Sequence, residues 1–140
     1  SSAASDVYKR QMDNSAVLTG VYGALEILKR RNLLLAVGSA SKNAPLILEK
    51  TGLLPYLNQV SCGLDTTKSK PDPEVFLVAA RKLQLDPAQC LVVEDSAAGI
   101  EAAKAGGMRS LGVGPFFDAL GADFAAPSLG DVTNWDEILA

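Results

Sequence analysis

The sequence predicts an α/β fold, a mostly parallel sheet with helices on both faces. Three observations carry this. Wholly apolar runs such as "LLLAV" at 33–37 and "CLVV" at 90–93 lack the alternation of a half-exposed strand and suit strands buried on both sides. Each empties into small polar residues and then into a segment with helical spacing. The joints are short and marked by Gly, Pro, Asp or Asn, as in repeated βα units with right-handed crossovers.

Taken in order, Val21, Ala24, Leu25 and Leu28 mark one face of a helix, and the strand at 33–37 follows. "SASKNAP" then joins strand to helix, with Asn43 as N-cap before Pro45 in the first turn of a helix over 44–51. Gly52 suits a left-handed cap. A short strand is expected near 59–62. In "SKPDPEVFLVAARKLQL", Asp72 is the expected N-cap, Pro73 lies in the first turn, and Val75, Phe76, Val78 and Ala79 form the buried side of a helix to about 83. "CLVVED" is the next strand. "SAAGIEAAKAGG" is a helix of small residues, able to pack close to a sheet and stopping at Gly106 or Gly107. Strands at 109–113 and 122–125 and a helix over "DVTNWDEILA" complete the chain.

The 140 residues are 48% hydrophobic and 21% charged, a composition for one folded domain rather than a disordered chain. Net charge is −3 with no basic run, which argues against nucleic acid and against an anionic membrane as partners. No apolar run reaches the roughly 18 residues of a membrane span. Cys62 and Cys90 lie in apolar strand-like segments and are expected to be buried free thiols in a reducing cytoplasm. There is no histidine, so the usual general base is missing. Residues 1–11, "SSAASDVYKRQ", have no periodicity; they resemble an adapter-derived tail of genes assembled from environmental DNA and are set aside as non-native, the alternative being a frayed native N-terminus.

In parallel α/β sheets ligands collect outside the carboxyl ends of the strands. Three polar clusters fall there: Ser39 to Asn43, Lys70, and Glu94 with Asp95. Hydroxyls, an amide, an ammonium and free N–H groups at a helix start suit a phosphate, although Ser39, Ser41, Lys42 and Asn43 could equally be a cap with a solvated lysine. Taken singly, Lys70 reads as a solvated lysine. Adjacent carboxylates at Glu94 and Asp95 repel, and a divalent cation such as Mg²⁺ relieves this; the alternative is that Asp95 only helps to cap a helix. Together the clusters supply phosphate donors, a cation and metal ligands, the parts of phosphoryl transfer apart from the nucleophile.

These residues resemble the haloacid dehalogenase (HAD) superfamily, and within it the β-phosphoglucomutases. The superfamily's second motif is matched by Ser39, the third by Lys70 in "KSKPDPEVF", and the fourth by Glu94 and Asp95 in "VVEDSAAGI". The resemblance covers residues 17 to about 115 and implies a Rossmann-like, HAD-like core. It implies catalytic roles for Ser39 and Lys70, which would stabilise the transferring phosphoryl group together with the Ala40 amide. Ser41, Lys42 and Asn43 would hold the second phosphate of a bisphosphorylated hexose, and Glu94 and Asp95 would bind Mg²⁺.

The superfamily's first motif, a strand ending in Asp-x-Asp that supplies the nucleophile, has no counterpart. Asp6 and Asp13 follow no apolar strand. "VLTGV" at 17–21 resembles the return from cap to core, so residues 12–20 are expected to be the end of that linker and 21–140 a partial core lacking its first, central strand. That strand would lie between the one before Ser39 and the one before Glu94. The resemblance thus implies a cytoplasmic, Mg²⁺-dependent enzyme, monomeric when intact, that interconverts β-glucose 1-phosphate and glucose 6-phosphate, and a chain inactive by itself. A sugar-phosphate phosphatase of the same superfamily and an inert phosphate-binding module are the rival readings. A response-regulator receiver would need an acidic pair at the first strand, where Ser39 stands.

Overall fold

The computed structural model describes residues 15–140. Helix α1, Ser15–Arg30, leads to strand β1, Ala36–Gly38, and helix α2, Ala44–Lys50. A 3-10 turn at Leu54–Tyr56 precedes strand β2, Gln59–Ser61, and helix α3, Glu74–Leu83. A second such turn at Pro87–Gln89 leads to strand β3, Leu91–Glu94, and helix α4, Ala97–Ala105. Strands β4, Arg109–Gly112, and β5, Phe124–Ala125, come next, then a turn at Leu129–Asp131 and helix α5, Trp135–Ile138. Residues 15–20, assigned by the sequence to the end of a linker, are helical; residues 1–11 lie outside the described part.

All strand pairs are parallel, but they form two sheets. One is β1–β2, with Val37 opposite Val60; the other is β3–β4–β5, with Val92 opposite Ser110 and Leu111 opposite Phe124. Between β1 and β3 lies a slot of about 1130 Å³, walled by residues 33–38 on one side and 90–95 on the other. Val21 and Leu25 of α1, Phe76 of α3 and Trp135 of α5 also line it. Thus the interruption falls where the family resemblance implies a further central strand. Neither β1 nor β3 has a strand partner on this side among the described residues. The slot also explains a departure from the expected two-sided burial: Leu34 is 47% exposed and Val93 39%.

Two apolar clusters cover the two faces. Val75, Phe76 and Ala80 of α3 pack with Val92, Ala102, Ala103 and Met108, so α3 reaches β3 while also packing on β1 and β2. On the other face Leu28 of α1, Leu111 of β4 and Val132, Trp135 and Ile138 form the second cluster. Leu48, Val75, Ile100, Leu111 and Ile138 are fully buried, each stabilising the fold by about 1.5–3 kcal/mol.

Several caps differ from expectation. Asn43 occupies the cap position of α2, but its side chain makes no cap bond; Ser41 Oγ accepts from the Asn43 N–H instead, at 3.2 Å. Pro73, not Asp72, sits at the α3 cap, one position later than expected, and Asp72 Oδ1 accepts from the Glu74 N–H at 3.0 Å. Val78 is only half-buried, its place on the buried side taken by Ala80. Ser96 caps α4 by accepting from the Gly99 N–H, and Gly52, at φ +74°, follows α2 as the left-handed residue that the sequence predicts. The last helix is four residues rather than ten, because Ser128 and Asp131 close a 3-10 turn ahead of it. Both cysteines are free; Cys62 is buried, whereas Cys90 is half-exposed beside the slot, which corrects the expectation of full burial.

Candidate functional site

The site begins where β1 ends. Gly38 closes the strand, and Ser39, 1% exposed, donates its N–H to the Ser61 carbonyl at 2.9 Å, which extends the β1–β2 pairing by one residue. Ser39 Oγ accepts from the Ser41 N–H at 3.2 Å, and the Ser41 hydroxyl repeats the pattern with Asn43. Two successive side chain to backbone bonds therefore hold the turn from Ser39 to Asn43. Gly63, beyond β2, braces this loop by donating to the Ser41 carbonyl at 3.2 Å. A Cβ at position 63 would overlap the Ala40 carbonyl, so only glycine permits this approach.

Lys70 is the link between the two sheets. Its side chain is 3% exposed, which overturns the solvated reading. The ammonium lies 2.8 Å from Glu94 Oε2, 3.3 Å from the Gly38 carbonyl and 4.7 Å from the Phe76 ring centre. It therefore spans the carboxyl end of the slot, from the last residue of β1 to the last of β3. Single-residue reasoning missed this because burial comes from Phe76 and Glu94, distant in sequence; the one early signal was Phe76 on the inner face of α3.

Glu94 is buried too, with 6% of its side chain exposed. Its Oε1 accepts from the Asp95 N–H at 3.0 Å and from Ser96 Oγ at 3.2 Å. Burial by itself raises its pKa, but the adjacent Lys70 charge and the hydrogen bonds from Lys70 and Asp95 outweigh that and hold the carboxyl below its ordinary range. Asp95 is half-buried at the rim of the slot, and its pKa is pushed up to about 6, first by burial and then by the hydrogen bond to Glu94 and the Glu94 charge. The pair thus divides: Glu94 is the more acidic of the two, and Asp95 takes up its proton first as pH falls through about 6.

Ser39, Lys70, Glu94 and Asp95 lie together at the carboxyl ends of β1 and β3. Ala40 stands in the same loop, against Gly63. Lys42 and Asn43 are exposed, and Ser41 is half-buried. Asp6 and Asp13 lie outside the described residues. Among the described residues no group of three or more His, Cys, Asp or Glu side chains could hold a metal. Glu94 accepts hydrogen bonds at both oxygens, from Lys70 at Oε2 and from the Asp95 N–H and Ser96 Oγ at Oε1, and Asp95 is itself hydrogen-bonded to Glu94 while standing nearer the solvent-facing rim. A hard cation such as Mg²⁺ takes one or two protein carboxylates with phosphate oxygens, and Asp95 at a solvent-facing rim fits that requirement in part.

A parallel βα core with a serine, a buried lysine and an acidic pair at its carboxyl edge defines a class. The profile of the haloacid dehalogenase-like hydrolases matches residues 4–107, and the chain belongs to that family. Among curated proteins it is 38% identical to a β-phosphoglucomutase of Bacillus subtilis over 84% of this chain and 52% of the relative. It is 37% identical to a fructose-1-phosphate phosphatase of Escherichia coli over 60% of this chain and 45% of the relative. Among solved structures a β-phosphoglucomutase from Clostridium difficile superposes with a TM-score of 0.78 at 29% identity, covering 85% of this chain and 53% of that one. The chain thus spans about half the length of these relatives. No helix among the described residues is long and apolar enough to cross a membrane.

Proposed function

We propose that this chain carries the phosphate-binding half of a phosphoryl-transfer site, and that the whole enzyme interconverts β-glucose 1-phosphate and glucose 6-phosphate. The observation that carries the reading is Lys70, held between the Gly38 carbonyl and Glu94 beside the Ser39 loop. A buried ammonium fixed at a strand edge is placed to offset charge on a transferring phosphoryl group without reorganising. Ser39 and the Ala40 N–H complete the cradle. Ser41, Lys42 and Asn43, farther out, would take the second phosphate of a bisphosphorylated hexose, which favours a mutase over a simple phosphatase. Asp95, and Glu94 only if it released a partner, would hold Mg²⁺, which when bound shields phosphoryl charge. The nucleophile would come from a strand seated in the slot between β1 and β3. The intact enzyme is read as a cytoplasmic monomer.

The test is a chimera. The part of the B. subtilis relative that this chain does not match is joined ahead of residue 15, and β-glucose 1-phosphate is supplied with Mg²⁺ and a trace of bisphosphate. Formation of glucose 6-phosphate supports the mutase reading. Release of inorganic phosphate alone would favour the phosphatase reading, specifically because the E. coli relative hydrolyses a sugar phosphate by its name.

A further inference from the structure

We propose that Gly99 is a positioning residue for Lys70, acting through Glu94. The functional meaning rests on Lys70 being the phosphate-facing cation, but the physical link does not. Helix α4 reads "AAGIEAAKA" and contains one glycine among residues that otherwise favour the helix. That glycine sits in the first turn, where its N–H donates to Ser96 Oγ at 3.1 Å. The Glu94 carboxylate folds back beneath the same turn, its Oε1 accepting from Asp95 N–H and Ser96 Oγ, which leaves Oε2 to face Lys70. A Cβ added at position 99 would fall on Glu94: the three atoms it meets first are Cγ, Cδ and Oε2. The missing side chain is therefore the space that the carboxylate occupies. With alanine there, Glu94 would have to leave from under the helix, and Lys70 would keep only the Gly38 carbonyl and the Phe76 ring.

The test reads Lys70 itself. The full chain is treated with acetic anhydride, and modification of Lys70 is measured by mass spectrometry against exposed Lys50 as internal reference. In the unmodified sequence Lys70 should react about tenfold or more slowly than Lys50, and Gly99→Ala should remove most of that protection. In a Glu94→Ala chain, where Lys70 has already lost its partner, adding Gly99→Ala should change the rate less than about twofold. Protection that survives Gly99→Ala, or an equal effect with and without Glu94, overturns the proposal. If Gly99→Ala unfolds the chain by circular dichroism, the same change is made in a Lys70→Met/Glu94→Ala chain. Helicity regained there supports the proposal, since the obstructing carboxylate is gone, and unfolding there too overturns it. None of these readings depends on turnover, so a failed mutase assay leaves them intact.

Discussion

Lys70 Nζ and Glu94 Oε2 lie 2.8 Å apart with both side chains almost wholly out of solvent, joining the loop after β2 to the end of β3. Removing one partner of such a pair leaves an uncompensated buried charge. Lys70→Met or Glu94→Gln is therefore expected to cost about 3–5 kcal/mol in urea denaturation, and the paired change Lys70→Met/Glu94→Leu much less. Single changes that cost under about 1 kcal/mol would show the pair to be hydrated in solution.

The acidic pair predicts an unusual pH dependence. The raised Asp95 group binds its proton more tightly in the folded chain, so its contribution is full below the unfolded pKa of about 3.9 and is lost as pH rises through about 6. Glu94 has the opposite sign: its lowered pKa contributes above the unfolded value of about 4.3 and is lost as pH falls through the folded value. Between about pH 4.3 and 6 the Asp95 effect should dominate and stability should decline. Thermal melts in steps of pH check this, and Asp95→Asn should flatten the decline.

Mg²⁺ follows the same carboxylate. Millimolar Mg²⁺ is expected to raise the melting midpoint at about pH 7.5 and to have little effect at about pH 4.5, where Asp95 is protonated. A Mg²⁺ effect that persists in Asp95→Asn would place the cation elsewhere.

Gly63 supports a prediction about the Ser39 loop. Gly63→Ala places a methyl group on the Ala40 carbonyl and should cost about 1–3 kcal/mol, as overpacking does. Amide shifts in a ¹⁵N spectrum should concentrate at residues 39–43. Shifts spread evenly over both sheets would mean that the loop is not braced there.

The slot itself is testable. Buried backbone groups without partners cost about 1–3 kcal/mol each, so two open strand edges should weaken the chain by itself. Alternate amides of β1 and β3 should exchange with deuterium far faster than those of β4, and an apolar dye should bind. Slow exchange along all three strands would contradict the gap.

Much of this architecture was legible because its signals are local. Ser96 before "AAGI", Gly52 after "LEKT" and the apolar "CLVV" each specify a cap, a stop or a strand within a few residues. The order of clusters at strand ends is enough to set Ser39, Lys70, Glu94 and Asp95 on one edge. What stayed hidden depends on pairs far apart in sequence. Lys70 is buried by Phe76 and Glu94, Glu94 is paired with Lys70, and Gly99 makes room for it. The shortened last helix was hidden for another reason: the Ser128–Asp131 turn competes locally with helix formation, and periodicity does not register that competition.

The central claim is that Ser39, Lys70 and Asp95 serve one ligand. Titrating the ¹⁵N-labelled chain with inorganic phosphate and Mg²⁺, and following every amide, tests it most directly. The account predicts that residues 39–43, 70 and 94–96 shift together along one saturable curve, and that Lys70→Met abolishes the shifts in all three segments. Saturable shifts confined to Lys42 and Asn43, with 70 and 94–96 unmoved, would contradict it.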